Sequence, residues 1–254
     1  MLAFKIATWN TQGNAFGDGK MNHLIQTFHP DIICLQECGD LYKTSVRFFE
    51  YSYGNTVNYG IFEYKEDDIY NVYFYPWRDA SRCSMAILVK STFTVSDCSL
   101  EGYDIPCNIE ESDEYDVSET VNSNDDVDNI EKRKGLRSML RVDIKHKDAI
   151  ISINNVHLPS GCPGFARKVG SVFINNCRYN RSRNFIMIGD MNTRPNTWNR
   201  EYSRQLSAPE SKTHTSGNTL DYMFTNMFVS CWEADSGFHS SDHLAVAYGI
   251  VLHR

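Results

Sequence analysis

Asn184-Phe185-Ile186-Met187-Ile188-Gly189-Asp190-Met191-Asn192 is the stretch whose reading decides the fold. Four apolar residues stand at successive positions in it. Successive residues of a strand point to opposite faces, so such a strand is covered on both sides. Ile32-Ile33-Cys34-Leu35 has the same character. Both runs stop at polar residues, at Gly189-Asp190-Met191-Asn192 and at Gln36-Glu37. Buried strands that end in carboxylates and amides predict a rim where several strand ends converge.

Outward from these two, short apolar runs bounded by turn residues predict further strands. They are Phe4–Trp9, Ile69–Tyr75, Ser84–Lys90, Ser138–Ile144, Ala149–Val156, Thr219–Thr225 and Leu244–Val251, with Asp31–Gln36 and Asn184–Ile188 around the opening runs. Helical periodicity is present at Met21–Phe28, Leu41–Phe49, Phe165–Cys177 and, after Pro195, at Asn196–Leu206. Many strands with interleaved helices predict an α/β fold of two sheets packed face to face, with helices outside. The 254 residues are expected to form a single domain, 1–254. A composition of 41% hydrophobic and 22% charged residues is that of a globular protein, and no apolar run approaches a membrane span. The chain opens on a strand-like segment at Phe4 with no signal peptide in view, which leaves open one removed earlier.

The net charge of −7 is unevenly distributed. Glu101 to Glu131 holds 12 acidic residues and no Lys or Arg, which leaves 20 acidic against 25 basic residues, about +5, in the rest. That sign suits a polyanion binder. The stretch from about Ser99 to Gly135 reads as a flexible, solvated insertion. It also admits a partner-binding loop, or a mimic over the basic groove whose deletion would raise polyanion affinity. The eight cysteines form no Cys-x-x-Cys pair, which argues against zinc. Cys98 and Cys107 could close a short loop; pairing and redox compartment stay open.

The polar residues carry the chemistry. Asn10 closes the first strand, Glu37 follows the second, His157 ends the Ala149 run, Asp190 and Asn192 follow Ile188, and Asp242 and His243 open the last strand. Singly each has an ordinary explanation: a cap, a turn, or a histidine satisfied by backbone. Together they form a set. Glu, Asp and Asn oxygens suit a hard cation such as Mg²⁺, with Mn²⁺ or Ca²⁺ as substitutes. Two histidines without cysteine partners suit hydrogen bonding to phosphate oxygens and proton transfer. The set matches phosphoester hydrolysis, and no Gly-x-Ser-x-Gly elbow offers a serine triad instead.

At these residues the sequence resembles the endonuclease/exonuclease/phosphatase superfamily. The pieces are Ala7-Thr8-Trp9-Asn10, Leu35-Gln36-Glu37, Asn155-Val156-His157, Gly189-Asp190-Met191-Asn192, Leu220-Asp221-Tyr222 and Ser241-Asp242-His243, in the family's order. Within it the chain looks most like the catalytic B subunits of cytolethal distending toxins, relatives of deoxyribonuclease I. That likeness rests on Phe4 to Gly13, on Thr213-His214-Thr215-Ser216-Gly217-Asn218-Thr219-Leu220-Asp221-Tyr222 and on the closing Ser241-Asp242-His243. The acidic insertion and the cysteines depart from that branch.

The resemblance implies a four-layer α/β/β/α sandwich and Mg²⁺-assisted hydrolysis. It implies that Glu37 binds the metal, with Asn10 and Asp242 close by. Asp190 and Asn192 would orient the attacking water and a phosphate oxygen, and His157 and His243 would flank the scissile phosphate. Glu63 would orient His157, and Asp221 would orient His243. DNA is the implied substrate, with Arg137, Arg167 and Arg194 as candidate backbone contacts and Lys168, Arg178, Arg181, Arg183 and Arg200 as further cations. A phosphoinositide lipid is the alternative substrate on the same centre, and a catalytically dead binding module is a third reading. A toxin-like role would bring delivery subunits, secretion and action in a target-cell nucleus; otherwise the cytoplasm is expected. No basic cluster reads as a nuclear signal, and the lone sequon Asn180-Arg181-Ser182 does not argue secretion.

Overall fold

The structure, a computed structural model, describes residues 2–53, 57–66, 68–76, 84–103, 137–146, 149–179, 184–237 and 240–252. Its strands are β1 (Leu2–Asn10), β2 (Ile32–Gln36), β3 (Arg47–Tyr53), β4 (Val57–Lys65), β5 (Asp68–Tyr75), β6 (Met85–Lys90) and β7 (Thr94–Tyr103), followed by β8 (Arg137–His146), β9 (Ala149–His157), β10 (Asn184–Asp190), β11 (Leu206–Ser207), β12 (Asp221–Thr225), β13 (Phe228–Ala234) and β14 (Val246–Leu252). Among the described residues they form two sheets. One runs β13-β14-β1-β2-β6-β5-β4-β3 and the other β11-β12-β10-β9-β8-β7. At the heart of each lies one parallel pair, β1 with β2 and β9 with β10; the other pairings are antiparallel.

The period of two along each strand builds the layers. Phe4 and Ile6 of β1, Ile32 and Cys34 of β2, Ile151 and Ile153 of β9, and Ile186 and Ile188 of β10 meet in the core between the sheets. The alternate residues face outward. Ala7, Trp9, Ile33 and Leu35 pack against Met21, Leu24, Ile25 and Phe28 of α1 (Lys20–Phe28). Val156, Phe185, Met187, Tyr222 and Phe224 pack against Phe165, Val169, Phe173 and Ile174 of α2 (Pro163–Tyr179). Three cores between four layers make the expected α/β/β/α sandwich. Each fully buried Ile, Leu or Phe contributes roughly 1.5–3 kcal/mol, so the sandwich is held chiefly by these three cores.

Continued by two residues, the same alternation turns the central core polar at one end. Ile6 leads to Thr8 and Asn10, Cys34 to Gln36, Ile153 to Asn155 and His157, and Ile188 to Asp190. Gln36 and Asn155 are both fully buried there and join the sheets. The Gln36 amide donates to Asn155 Oδ1 at 2.6 Å, and Asn155 Nδ2 donates to the Leu35 and Ala86 carbonyls at 2.8 and 3.0 Å. Glu37 and His157 flank this bond, so it fixes their separation.

Several local expectations are corrected. Leu41–Phe49 is not a helix: Asp40 caps a single 3-10 turn at Leu41–Lys43, and the chain then enters β3. Phe48 in β3 packs on Tyr42 and Phe74, which an exposed helix would not provide. In place of a helix over Asn196–Leu206 stand a 3-10 turn at Pro195–Thr197 and the four-residue α3 (Arg200–Ser203), capped by Asn199. The acidic segment begins later than expected, because Ser99 to Tyr103 belong to β7. Residues 104–136, with Cys107 and the readings placed on them, lie outside the described residues, as do Cys83, Arg181 and Arg183. The six described cysteines are free thiols. No helix among the described residues is long and apolar enough to cross a membrane.

Candidate active centre

Register alone brings three of the expected residues side by side. Asp190 of β10 pairs with His157 of β9 on one flank and with Asp221 of β12 on the other. Asp190 is buried, and its Oδ2 is a hub. It accepts a hydrogen bond from Asn10 Nδ2 at 3.1 Å and lies 3.6 Å from Nε2 of both His157 and His243. The Asn10 amide also donates to Glu37 Oε1 at 3.2 Å, and that oxygen stands 3.7 Å from His157 Nε2. Asn10 therefore turns donor hydrogens toward two carboxylates, while its Oδ1 accepts from the Gln12 amide at 3.2 Å. Its position is that of a brace between carboxylates.

The backbone around these groups is unusual. Glu37 and Asn192 adopt left-handed φ values of 47° each, and Gln12 one of 50°, each costing roughly 1–2 kcal/mol. Local bonds hold them. The Asn192 amide donates to Asp190 Oδ1 at 2.9 Å and its side chain to the Leu158 carbonyl at 2.8 Å. Buried Lys20 donates to the Thr11 carbonyl at 2.7 Å, tying α1 to the loop after Asn10.

His243 is 6% exposed, and its Nδ1–H donates to both oxygens of fully buried Asp221, at 2.9 and 3.0 Å. Burial alone would lower its pKa. The charges of Asp221 and Asp190, the hydrogen bond to Asp221 and the charge of Asp242 outweigh burial and raise it to about 10. A histidine raised in this way stabilises the fold fully below its unfolded pKa, about 6.5, and the contribution is lost as pH rises through about 10. Asp221→Asn keeps an acceptor and removes the charge. In EDTA, the excess melting temperature of wild type over this variant is expected to shrink steadily from pH 6 to pH 10. A constant difference across that range would sink the assignment of the charge to His243.

The Leu220-Asp221-Tyr222 piece is explained by alternation. Asp221 faces the inner layer and His243. Tyr222 faces outward, where its hydroxyl donates to the Thr193 carbonyl at 2.8 Å and accepts from Trp198 Nε1 at 2.7 Å. Adjacent residues thus brace two different loops of the centre.

Sequence reasoning missed the clamps around Asp242 and His243. Trp9 Nε1 donates to the His243 carbonyl at 3.0 Å, and the Ser241 hydroxyl donates to the Asn10 carbonyl at 2.7 Å. The Asp242 amide donates to Gln12 Oε1 at 3.2 Å. Thr213 Oγ1 accepts from the Leu220 and Asp221 amides. His214 bridges to His243 and stacks edge-on to it at 4.6 Å. The signal was present: Trp9, Thr213, His214 and Ser241 lie inside the quoted pieces, and Gln12 within Phe4 to Gly13.

Glu63 is a correction. Its carboxylate is 60% exposed and pairs with Arg47 at 3.0 Å, and the structure does not bring it to His157. β4 lies three strands from β2 in the sheet order, roughly 14 Å at about 4.8 Å per strand. Of the candidate DNA contacts, Arg194 is exposed beside Asn192, and its Nε donates to Asn218 Oδ1 at 2.8 Å. Arg167 is half-buried on α2. Arg137 begins β8, and its side chain is outside those described.

The donor set fits a divalent cation. Glu37, Asp190 and Asp242 place carboxylates around the two imidazoles, and this much negative charge in a partly buried cleft calls for a counter-ion. Asp242 Oδ1 is buried with no hydrogen-bond partner among the described residues. Two trios place ligand atoms within 4.8 Å of one another: His214, Asp242 and His243, and Asp190, Asp221 and His243. Both oxygens of Asp221 are engaged by His243, which leaves Asp242 the more open carboxylate of the two trios.

A sequence profile described as the Endonuclease/Exonuclease/phosphatase family matches residues 7–243. No curated protein matches the chain by sequence. Among solved structures, the chain is similar to the Haemophilus ducreyi cytolethal distending toxin, with 18% identity, 96% of this chain and 97% of that one covered, and a TM-score of 0.61. It is similar to truncated TDP2 from Caenorhabditis elegans at 14% identity, with 98% of each chain covered and a TM-score of 0.60. The human Nocturnin catalytic domain with bound sulfate anion gives 15% identity, 98% and 93% coverage and a TM-score of 0.54. At these identities the likeness establishes the fold.

Proposed function

The chain belongs to the endonuclease/exonuclease/phosphatase family, whose members are phosphoester hydrolases, and from that premise we propose that it is a Mg²⁺-dependent phosphodiesterase acting on DNA. The observation that carries the reading is the position of Asp190 Oδ2, 3.6 Å from the Nε2 atoms of two histidines, one at the end of β9 and the other in the loop before β14. A water accepted by this carboxylate would sit between two proton-handling groups, beside the phosphate they bind.

The division of labour follows from the contacts. Glu37 and Asp242 would hold the cation, with Asn10 keeping Glu37 and Asp190 in place. A divalent cation bound there offsets charge on a phosphate oxygen and on the departing oxyanion. Asp190 and the left-handed Asn192 orient the water. His243, held as an imidazolium by Asp221, offers its Nε2–H to a non-bridging oxygen. His157 supplies the facing Nε2 from the other flank of Asp190. Hydrogen-bond donors aimed at the oxygens that gain charge act on the transition state more than on the bound ester.

DNA is favoured over a phosphoinositide by the excess of basic residues outside the acidic segment and by exposed Arg194 beside Asn192. A toxin-like role with delivery subunits belongs to the same reading and rests on the likeness to the cytolethal distending toxin fold. Nicking of supercoiled plasmid, measured beside phosphate release from phosphatidylinositol phosphates, separates the substrates. Nicking is expected to dominate and to fall about 10²–10⁴-fold in His157→Ala. Phosphate release without nicking would move the substrate to the lipid; full nicking by the variant would remove His157 from the centre.

A further inference from the structure

The loop from Thr213 to Thr219 supplies a third imidazole that the reading above leaves without a task. Its conformation is fixed by its own bonds. The amides of Thr213 and His214 donate to the Asn218 carbonyl at 3.0 Å each, and the Gly217 amide donates to the His214 carbonyl at 3.0 Å. The loop is also tied to the last strand: the Thr215 amide donates to the Asp242 carbonyl at 2.9 Å, and the Leu244 amide to the Thr213 carbonyl at 2.7 Å.

These bonds settle which ring nitrogen of His214 carries hydrogen. The Ser216 backbone N–H, which can only donate, points at His214 Nδ1 from 3.0 Å. Nδ1 must therefore accept, and in the neutral ring the hydrogen sits on Nε2. The Ser216 hydroxyl lies 2.7 Å from Nδ1 and accepts from Asn218 Nδ2 at 3.0 Å. Asn218 is held by Arg194 Nε. Nε2 then stands 3.4 Å from Asp242 Oδ2, within ion-pair distance, while Asp242 Oδ1 is turned in, 3.8 Å from His243 Nε2 and without a hydrogen-bond partner among the described residues.

We propose that His214 is a positioning residue: its Nε2–H holds Asp242 by Oδ2 and thereby presents Oδ1 to the cation. The same tautomer argues against His214 as a metal ligand, since its inward-facing nitrogen carries a hydrogen. The inference rests on the metal reading above and adds to it a residue that sets cation affinity. Outer partners that orient a ligand typically change metal affinity 10–100-fold when lost.

Mn²⁺ titration of the metal-stripped protein, followed by calorimetry and by the paramagnetic resonance of the free ion, tests this without turnover. His214→Ala is expected to weaken Mn²⁺ binding about 10-fold or more. His214→Gln, whose amide N–H reaches the position of Nε2–H, should restore most of it. His214→Asn, whose amide lies near Nδ1, should not. Melting temperatures in EDTA report the fold separately, and the Gln and Asn pair decides the matter should the alanine variant unfold. Equal Mn²⁺ affinity in wild type, Gln and Asn variants would overturn the role of His214 and leave the metal reading standing. A folded wild type that binds no Mn²⁺ would overturn both.

Discussion

Asp190→Asn is expected to lower kcat for phosphodiester hydrolysis by about 10³-fold or more, with the protein still folded. The substitution preserves shape and removes charge at an atom that faces Asn10 and both imidazoles. An amide there either turns its NH₂ against the donor hydrogens of Asn10 or gives up the acceptor that the Asn192 amide uses. It also loses the negative charge that helps keep His243 protonated, so the His243 pKa should fall from about 10, as histidine ring resonances would report. Loss of kcat together with a lowered His243 pKa is the expected pair. A kcat within threefold of wild type would remove Asp190 from the chemistry.

Gly189→Ala is expected to be severely damaging for the addition of a single methyl group. Gly189 has a φ of +149°, and a Cβ built on it would stand 2.0 Å from the Val156 carbonyl oxygen, a backbone atom of the paired strand. No rotamer change relieves that contact. β9 and β10 must part where His157 and Asp190 face each other, so stability and site fail together. Strain of this kind costs at least about 3 kcal/mol, a melting temperature lower by roughly 6–12 °C in a protein of this size. A variant that melts with wild type and keeps its activity would show that the strands close over Gly189 in some other way.

The central strands were legible because both their faces are buried. β2 and β10 read as unbroken apolar runs, and the polar residues at their ends marked the rim. β4, β7 and β13 were not. β13 alternates exposed and half-buried positions with Glu233 and Ser230 among them, and β7 carries Asp97 and Glu101, so neither presents an apolar run. β3 carried a false helical period, because Leu41 and Val46 are buried and Phe48 half-buried in an irregular turn and an edge strand.

For the centre, residues at the ends of fully buried strands were found from local pattern. The loop partners Gln12, Thr213 and His214 were not. Glu63 was assigned to His157 from the family pattern, but its strand position carries it out to Arg47. His214 has no role in the local pattern, since it neither ends nor opens an apolar run. Its use depends on a bridge to His243 that only the tertiary fold creates.

The central claim, a cation-dependent phosphodiesterase, is tested most directly by release of p-nitrophenolate from bis(p-nitrophenyl) phosphate. The assay would use the metal-stripped protein in EDTA and the same protein after Mg²⁺ or Mn²⁺ is restored. The account predicts no release above buffer in EDTA, recovery with either cation, and no recovery in Asp190→Asn. A folded wild type that hydrolyses the diester equally well in EDTA, or not at all with either cation, would contradict it.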